Sequence, residues 1–292
     1  MLRTLAVVGT GLIGTSVALA ASRHGVIVYL SDRDESAART AAALGAGIVR
    51  APAEPVDLAV LAVPPSHVGP VFAEQRSRGL ALSYTDVASV KSGPEHAVFG
   101  TGDDPSCFVG GHPLAGRERS GPLAARADLF TERPWVLTPS EVTDRATFDR
   151  AVALVDLCGA VPLVMCSRAH DEAVALTSHV PHLVATLMAA RLLDGPAETV
   201  SLAGQGLRDV TRIAGGDSAL WSDIVMGNAQ AVARVLKALR EDLSGLLRAL
   251  ENLAEPHEPY SRTSRTSRTG RTRHGAWTRW WSCWTGALPG WT

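Results

Sequence analysis

The stretch TLAVVGTGLIG, Thr4 to Gly14, runs a short apolar segment into three glycines spaced GxGxxG. An apolar run bounded by glycine reads as a buried strand, and the small-residue segment SVALAASRHG behind it reads as a helix. In such a strand–turn–helix unit Gly9 allows the tight turn, and Gly11 lets the backbone approach a pyrophosphate. Gly14 lets the helix pack closely on the sheet, so that the N–H groups of its first turn, at Leu12 and Ile13, aim at the phosphates. A second strand, VIVYLSD, ends at Asp32, 18 residues after Gly14. A carboxylate there accepts hydrogen bonds from both ribose hydroxyls and repels a 2′-phosphate. NAD is therefore favoured over NADP, and the adjacent Arg33 is the feature that argues the other way. Val63 and Pro64, at the end of the strand DLAVLAV, are assigned to the same cofactor site.

Outward from this unit, GLALSYTDV, CFVGGH, PWVLTP and GAVPLVMC read as further strands, separated by helical segments. Strands alternating with helices give an α/β, Rossmann-type domain with a mostly parallel sheet, over residues 1–167. Only helical patterns follow, so an all-α domain is expected over 168–255. Its first long segment, RAHDEAVALTSHVPHLVATLMAARLL, reads as interrupted at Pro181. A bundle this small would gain from packing against a second copy of itself.

The chain has 292 residues and a net charge of -1, unevenly spread. From Pro256 onward six Arg meet one acid, Glu258, leaving about -6 on the body, which is no sign of a nucleic-acid-binding core. No apolar run approaches the roughly 20 residues of a membrane span, and no signal peptide fits before the first strand. Cys107, Cys158, Cys166 and Cys283 are scattered without metal-ligand spacing, so free thiols in a reducing cytoplasm are expected.

Four segments carry candidate chemistry. DVASVKSG places Ser89 and Lys91 at the carboxyl end of a strand, where open α/β sheets bind ligands. GGHPLAG, Gly110 to Gly116, frames His112 with glycines and a proline. It is either an ordinary turn or a loop presenting an imidazole suited to taking a hydroxyl proton, and the residues alone leave both readings open. In TSHVPHL, His179 and His182 are three apart and share a helical face, while His170 falls about half a turn away. No third ligand follows at a metal spacing, so substrate contact is preferred and no metal is expected. RDVTRIAGGDSALW offers Arg208 and Arg212, four apart, and then Trp221; arginine binds carboxylates through a bidentate fork.

Together VVGTGLIGTS, DVASVKSG, GGHPLAGRERSG, HDEAVALTSHVPH and RDVTRIAGGDSALW, in that order, resemble the prephenate/arogenate dehydrogenase family of tyrosine biosynthesis over roughly Leu2 to Glu255. The resemblance implies that His112 is the catalytic histidine bonded to the ring 4-hydroxyl and that Ser89 shares that contact. It implies that Ser178, His179, His182 and Glu118 line the substrate pocket and that Arg212 binds a substrate carboxylate. Trp221 matches a tryptophan that reaches the site from a partner subunit, so a homodimer is implied. Arg117 and Ser218 depart from the small polar residue and the proline of the pattern, at the pocket rim. The implied reaction transfers hydride from C4 of a cyclohexadiene to NAD while His112 accepts the hydroxyl proton. Loss of CO2 then aromatises the ring.

Three rival readings stand beside this one. The first is a related ring substrate, 4-amino-4-deoxyprephenate. A β-hydroxyacid dehydrogenase or imine reductase is the second; the hydroxyacid enzymes use a helical-domain lysine that Arg168 to Leu193 lacks. The third is a non-enzymatic NAD-binding sensor, for which loss of His112 or Arg212 would be the signature.

The tail, 256–292, opens with the low-complexity repeat SRTSRTSRTGRTR and holds five of the seven Trp. It is expected to be disordered. Some family members carry an ACT domain after the helices. With GC-rich codons, RWWSCWTGALPGWT read two bases later gives VVVLLDGRPAGLD, the pattern of a first ACT strand and turn. The tail is therefore read as a frameshifted remnant of such a domain or as a sequencing slip near the SRT repeat.

Overall fold

The computed structural model describes residues 2–116 and 120–254. Arg117, Glu118 and the tail at 256–292 lie outside the described residues, and so do the readings made on them. Five strands run parallel: β1 (Thr4–Val8), β2 (Ile27–Ser31), β3 (Leu58–Leu61), β4 (Tyr84–Asp86) and β5 (Phe108–Pro113). β6 (Pro134–Thr138) lies antiparallel to β5, and β7 (Val161–Val164) is parallel to β6. The sheet order is β2-β1-β3-β4-β5-β6-β7. The chain leaves β1 toward β2 on one side and leaves β3 toward β4 on the other, so a crevice opens at the carboxyl ends of β1 and β3.

Side chains alternate across each strand, and the two faces are covered differently. Leu5, Val7, Leu58 and Val60 pack with Val17 and Ala21 of α1 (Leu12–Arg23) and with Leu154 and Val155 of α5 (Arg145–Leu157). Ala6, Val8, Ala59 and Leu61 pack with Phe72 of α3 (Val68–Ser77) and Val98 of α4 (Ser92–Phe99). Phe72 meets Tyr84 and Phe108 edge-on at 5.2 and 5.7 Å. Each fully buried side chain of this size contributes about 1.5–3 kcal/mol, which holds the sheet and thereby the crevice at its edge. α2 (Glu35–Ala43) follows β2, capped by the Asp34 carboxylate on the Ser36 N–H.

The helical region differs from the sequence reading at Pro181. The helix does not break there. α6 (Ser167–Val174) passes through a π turn, Ala175–His179, into α7 (Val180–Leu193). The N–H of Val180 donates to the carbonyl of Ala175, five residues back. Proline has no N–H to give and its ring crowds the preceding turn, so a widened turn lets the helix continue. The result is one helical segment of 27 residues, Ser167–Leu193, with a mean hydropathy of 1.4 over its most apolar window. By length and composition it could cross a bilayer, contrary to the expectation that no apolar run approaches that length. Its inward face nevertheless carries His170, Asp171, His179 and His182, all buried against neighbouring elements.

The chain continues through α8 (Ala197–Ser201), α9 (Gln205–Thr211), a 3-10 turn at Arg212–Gly215, α10 (Ser218–Gly227) and α11 (Ala229–Ala254). Contacts group the residues into two compact units, Met1–Val235 and Leu236–Thr292. The first helices are tied to the sheet region by hydrogen bonds: Lys91 and Ser92 donate to Asp171, and Ser66 donates to Asp223. In the second unit the described part is the continuation of α11, where Leu243, Leu247 and Leu250 repeat at helical spacing and are exposed.

Candidate active site

At the carboxyl ends of β1 and β3 lies a cavity of 1140 Å³ lined by Gly9, Gly11, Asp32, Arg33, Val63 and Pro64 among others. Gly9 has φ +98°, and a Cβ there would stand 2.2 Å from the Ala62 carbonyl oxygen. A Cβ on Gly14 would meet the Gly9 carbonyl oxygen at 2.0 Å, so helix and turn touch through backbone. Gly11 has open space around it, and α1 begins beside it with no side-chain cap. The N–H groups of Leu12 and Ile13 are thus left at an uncapped helix N-terminus, the arrangement that suits a pyrophosphate. Asp32 is held in place: Oδ2 accepts from the Thr10 N–H and hydroxyl, and Oδ1 from the Asp34 N–H. Gly14→Ala should lower NAD affinity at least tenfold in a fluorescence titration, because the Cβ must displace the turn. Unchanged affinity would mean that the cofactor does not sit on this turn.

His112 is not on a loop. It is inside β5, paired with Val136 of β6, and buried. The glycines before it leave no open space around them. A Cβ on Gly110 would lie 2.3 Å from Thr138 Oγ1, and one on Gly111 2.6 Å from the Asp86 carbonyl oxygen. Neighbouring strands already fill that space. Around Gly116 it is open.

Lys91 also departs from its reading as a ligand-edge residue. It turns inward, fully buried, and Nζ donates to Asp86 Oδ1 and to the Gly111 carbonyl. The Gly111 N–H donates to the same Asp86 oxygen. Burial pushes the Asp86 carboxyl up and the Lys91 ammonium down, each opposed by the other's charge. This pair clamps the backbone directly before His112.

His112 Nδ1 lies 2.8 Å from His170 Nε2, and His170 Nδ1 lies 2.9 Å from Asp171 Oδ1. The Lys91 and Ser92 N–H groups donate to the two Asp171 oxygens at 2.8 and 2.9 Å. Asn228 Nδ2 donates to the Asp171 carbonyl and approaches His179 Nδ1 at 3.2 Å. His182 stacks on Trp221 with ring centroids 3.5 Å apart, and His179 meets the same indole edge-on at 6.2 Å. Trp221 therefore contacts both histidines within its own chain. Gly216 allows this, since a Cβ there would strike the indole at 2.5 Å. Ser89 is half-buried in the loop between β4 and α4, while Ser178 on the π turn and Arg212 after α9 are exposed.

His112, His179 and His182 are held toward the neutral form. Burial pushes His112 well below the ordinary histidine value, helped by His170, Lys91 and His179. Burial brings His179 down to about 4, opposed by Asp171, and it lowers His182. His179 Nε2 and His182 Nδ1 are buried without a hydrogen-bond partner among the described residues.

Two family models match the chain: the prephenate dehydrogenase nucleotide-binding domain over residues 17–164 and the prephenate dehydrogenase dimerization domain over 166–258. The probable prephenate dehydrogenase NovF of Streptomyces niveus is 46% identical over 255 residues, 87% of this chain and 70% of that protein. The chain belongs to the prephenate dehydrogenase family. Its fold also matches prephenate dehydrogenase from A. aeolicus in complex with hydroxyphenyl propionate and NAD+, with TM-score 0.77 and 27% identity over 87% of this chain and 92% of that one. Arogenate dehydrogenase from Synechocystis matches with TM-score 0.71 and 27% identity, covering 86% and 93%.

Within this family fold, the residues that sequence reasoning missed are Asp171, Asp86 and Asn228. His170 was noticed but placed on the wrong side of its helix. Nine α-helical residues at about 100° each leave His170 and His179 opposed. The π turn spends one extra residue, bringing them to within roughly 80°. Pro181 was the available signal.

Proposed function

We infer that this chain catalyses the NAD-dependent oxidative decarboxylation of prephenate to 4-hydroxyphenylpyruvate, or of arogenate to tyrosine. The observation that carries the reading is a buried, neutral His112 at the carboxyl edge of the sheet that also forms the nucleotide crevice. Bound NAD supplies the hydride acceptor, held by Gly9, Gly11, Leu12, Ile13, Gly14, Asp32, Val63 and Pro64. The placement of Asp32 at the end of β2 favours NAD over NADP. His112 takes the ring hydroxyl proton during oxidation, and Ser89 holds the same hydroxyl. His179, His182 and Ser178 line the ring site, with Glu118 assigned to the same pocket. Trp221 backs the ring site through its stack on His182. Arg212 binds a carboxylate through its fork. The ring ketone formed para to the other carboxylate draws electrons as CO2 leaves, and aromatisation makes the step irreversible.

The division of labour is proposed as nucleotide binding over 1–167 and substrate binding and dimerisation over 168–255. A homodimer is supported by the description of the second matching model and by the exposed leucine stripe of α11. A cytoplasmic setting is supported by the free thiols of Cys107, Cys158 and Cys166.

Assaying NADH and NADPH formation with prephenate, arogenate and 4-amino-4-deoxyprephenate tests this reading. Turnover of prephenate or arogenate with NAD is the expected result, and no turnover of any of the three overturns it. Arg212→Ala should raise KM about 10- to 100-fold, the loss of a charged hydrogen bond worth about 1.5–3 kcal/mol, with a smaller change in kcat. An unchanged KM would remove Arg212 from substrate binding.

A further inference from the structure

A proton taken up by His112 arrives on an imidazole that is buried, flanked by Lys91, and poor at holding positive charge. The structure contains an outlet. Asp171 is gripped by two backbone N–H groups and by His170. Burial alone would raise its carboxyl, but the hydrogen bonds from His170, Ser92 and Lys91 outweigh burial and hold it below the ordinary value.

An ionised carboxylate only accepts hydrogen bonds, so His170 Nδ1 carries a proton. In the neutral His170 ring Nε2 is then a lone pair, and at 2.8 Å it must accept from His112 Nδ1–H. His112 Nε2 is left as the lone-pair nitrogen that a base requires. We propose that His170 and Asp171 are positioning residues that fix the His112 tautomer and receive its proton, forming an Asp171–His170–His112 relay.

In the proton transfer, the bond from the substrate hydroxyl oxygen to hydrogen breaks and His112 Nε2–H forms. His112 Nδ1–H breaks and His170 Nε2–H forms. His170 keeps Nδ1–H on Asp171, so the positive charge rests beside a carboxylate and His112 stays neutral. No oxidant or further reactant is needed for this transfer. The other charged or titratable groups facing the relay are Lys91 and Asp86 from the β4–α4 side and His179 from the π turn.

The proposal rests on His112 being the base of the reaction above, and its first test needs no substrate. Nitrogen-15 histidine spectra of the unliganded wild-type protein at neutral pH should show His112 protonated at Nδ1 and bare at Nε2. A predominantly Nε2-protonated or averaged His112 overturns the relay, whatever the substrate proves to be. The second test is kinetic. Asp171→Asn should lower kcat at least 100-fold with KM within about threefold. In a His170→Phe background, Asp171→Asn should change kcat no further, because the carboxylate acts on His112 only through His170. A raised KM with kcat within tenfold of wild type would make Asp171 only a clamp on the Lys91–Ser92 loop and would overturn the proposal.

Discussion

Replacing His112 by asparagine should lower turnover by about 10²- to 10⁴-fold while NAD affinity stays within about threefold. Asparagine is short enough for the slot in β5 and keeps a polar atom near the position of Nδ1, which faces His170. What it loses is the outward lone pair that takes the proton. The nucleotide crevice is built from Gly9, Gly11, Asp32, Val63 and Pro64, none of which touches position 112 through a hydrogen bond. Steady-state rates and a cofactor fluorescence titration on the same preparation separate the two effects. Turnover within tenfold of wild type would remove His112 from the chemistry.

The second large effect is on stability. Lys91→Met should cost about 3–5 kcal/mol, because it strands the Asp86 carboxylate with no exposure to water. Asp86 Oδ2 already lacks a partner among the described residues, so little else can absorb the charge. Urea unfolding should show the loss, and pH should modulate it with a definite sign. Burial raises the Asp86 carboxyl above its unfolded value. A raised carboxyl is best tolerated protonated, so the variant should regain stability below the ordinary carboxylate value. It should lose stability as pH rises through the raised one. Adding Asp86→Asn should recover part of the deficit, since an amide oxygen still accepts from the Gly111 N–H. An unchanged midpoint in the single variant would mean that the pair is dispensable.

The strand-and-glycine grammar of the first 32 residues was fully legible, because each glycine answers a local backbone demand that a sequence displays. The same is true of the seven strands, whose apolar runs are bounded by turns. His112 was harder. Flanking glycines and a proline look like a turn when the partner strands are unseen, yet Thr138 and Asp86 make them packing residues in a sheet. The Asp86–Lys91 and His170–Asp171 contacts depend on side chains meeting across elements, and no spacing rule announces them. The π turn defeated periodicity for a definite reason. A single added residue rotates everything downstream by about 100°, and a constant-period reading cannot carry that offset.

The seating of His112 bears on how this enzyme could change its diet. The imidazole sits on a strand bonded to β6 on one side and tied to Asp86 on the other. It is a fixed datum and cannot lean toward a differently shaped guest. In the proposed function, adaptation to a keto or an amino side chain on the same ring falls to the residues assigned to the helical wall, Ser178, His182, Arg212 and Trp221. Retuning selectivity calls for edits to that wall, with the strand left alone.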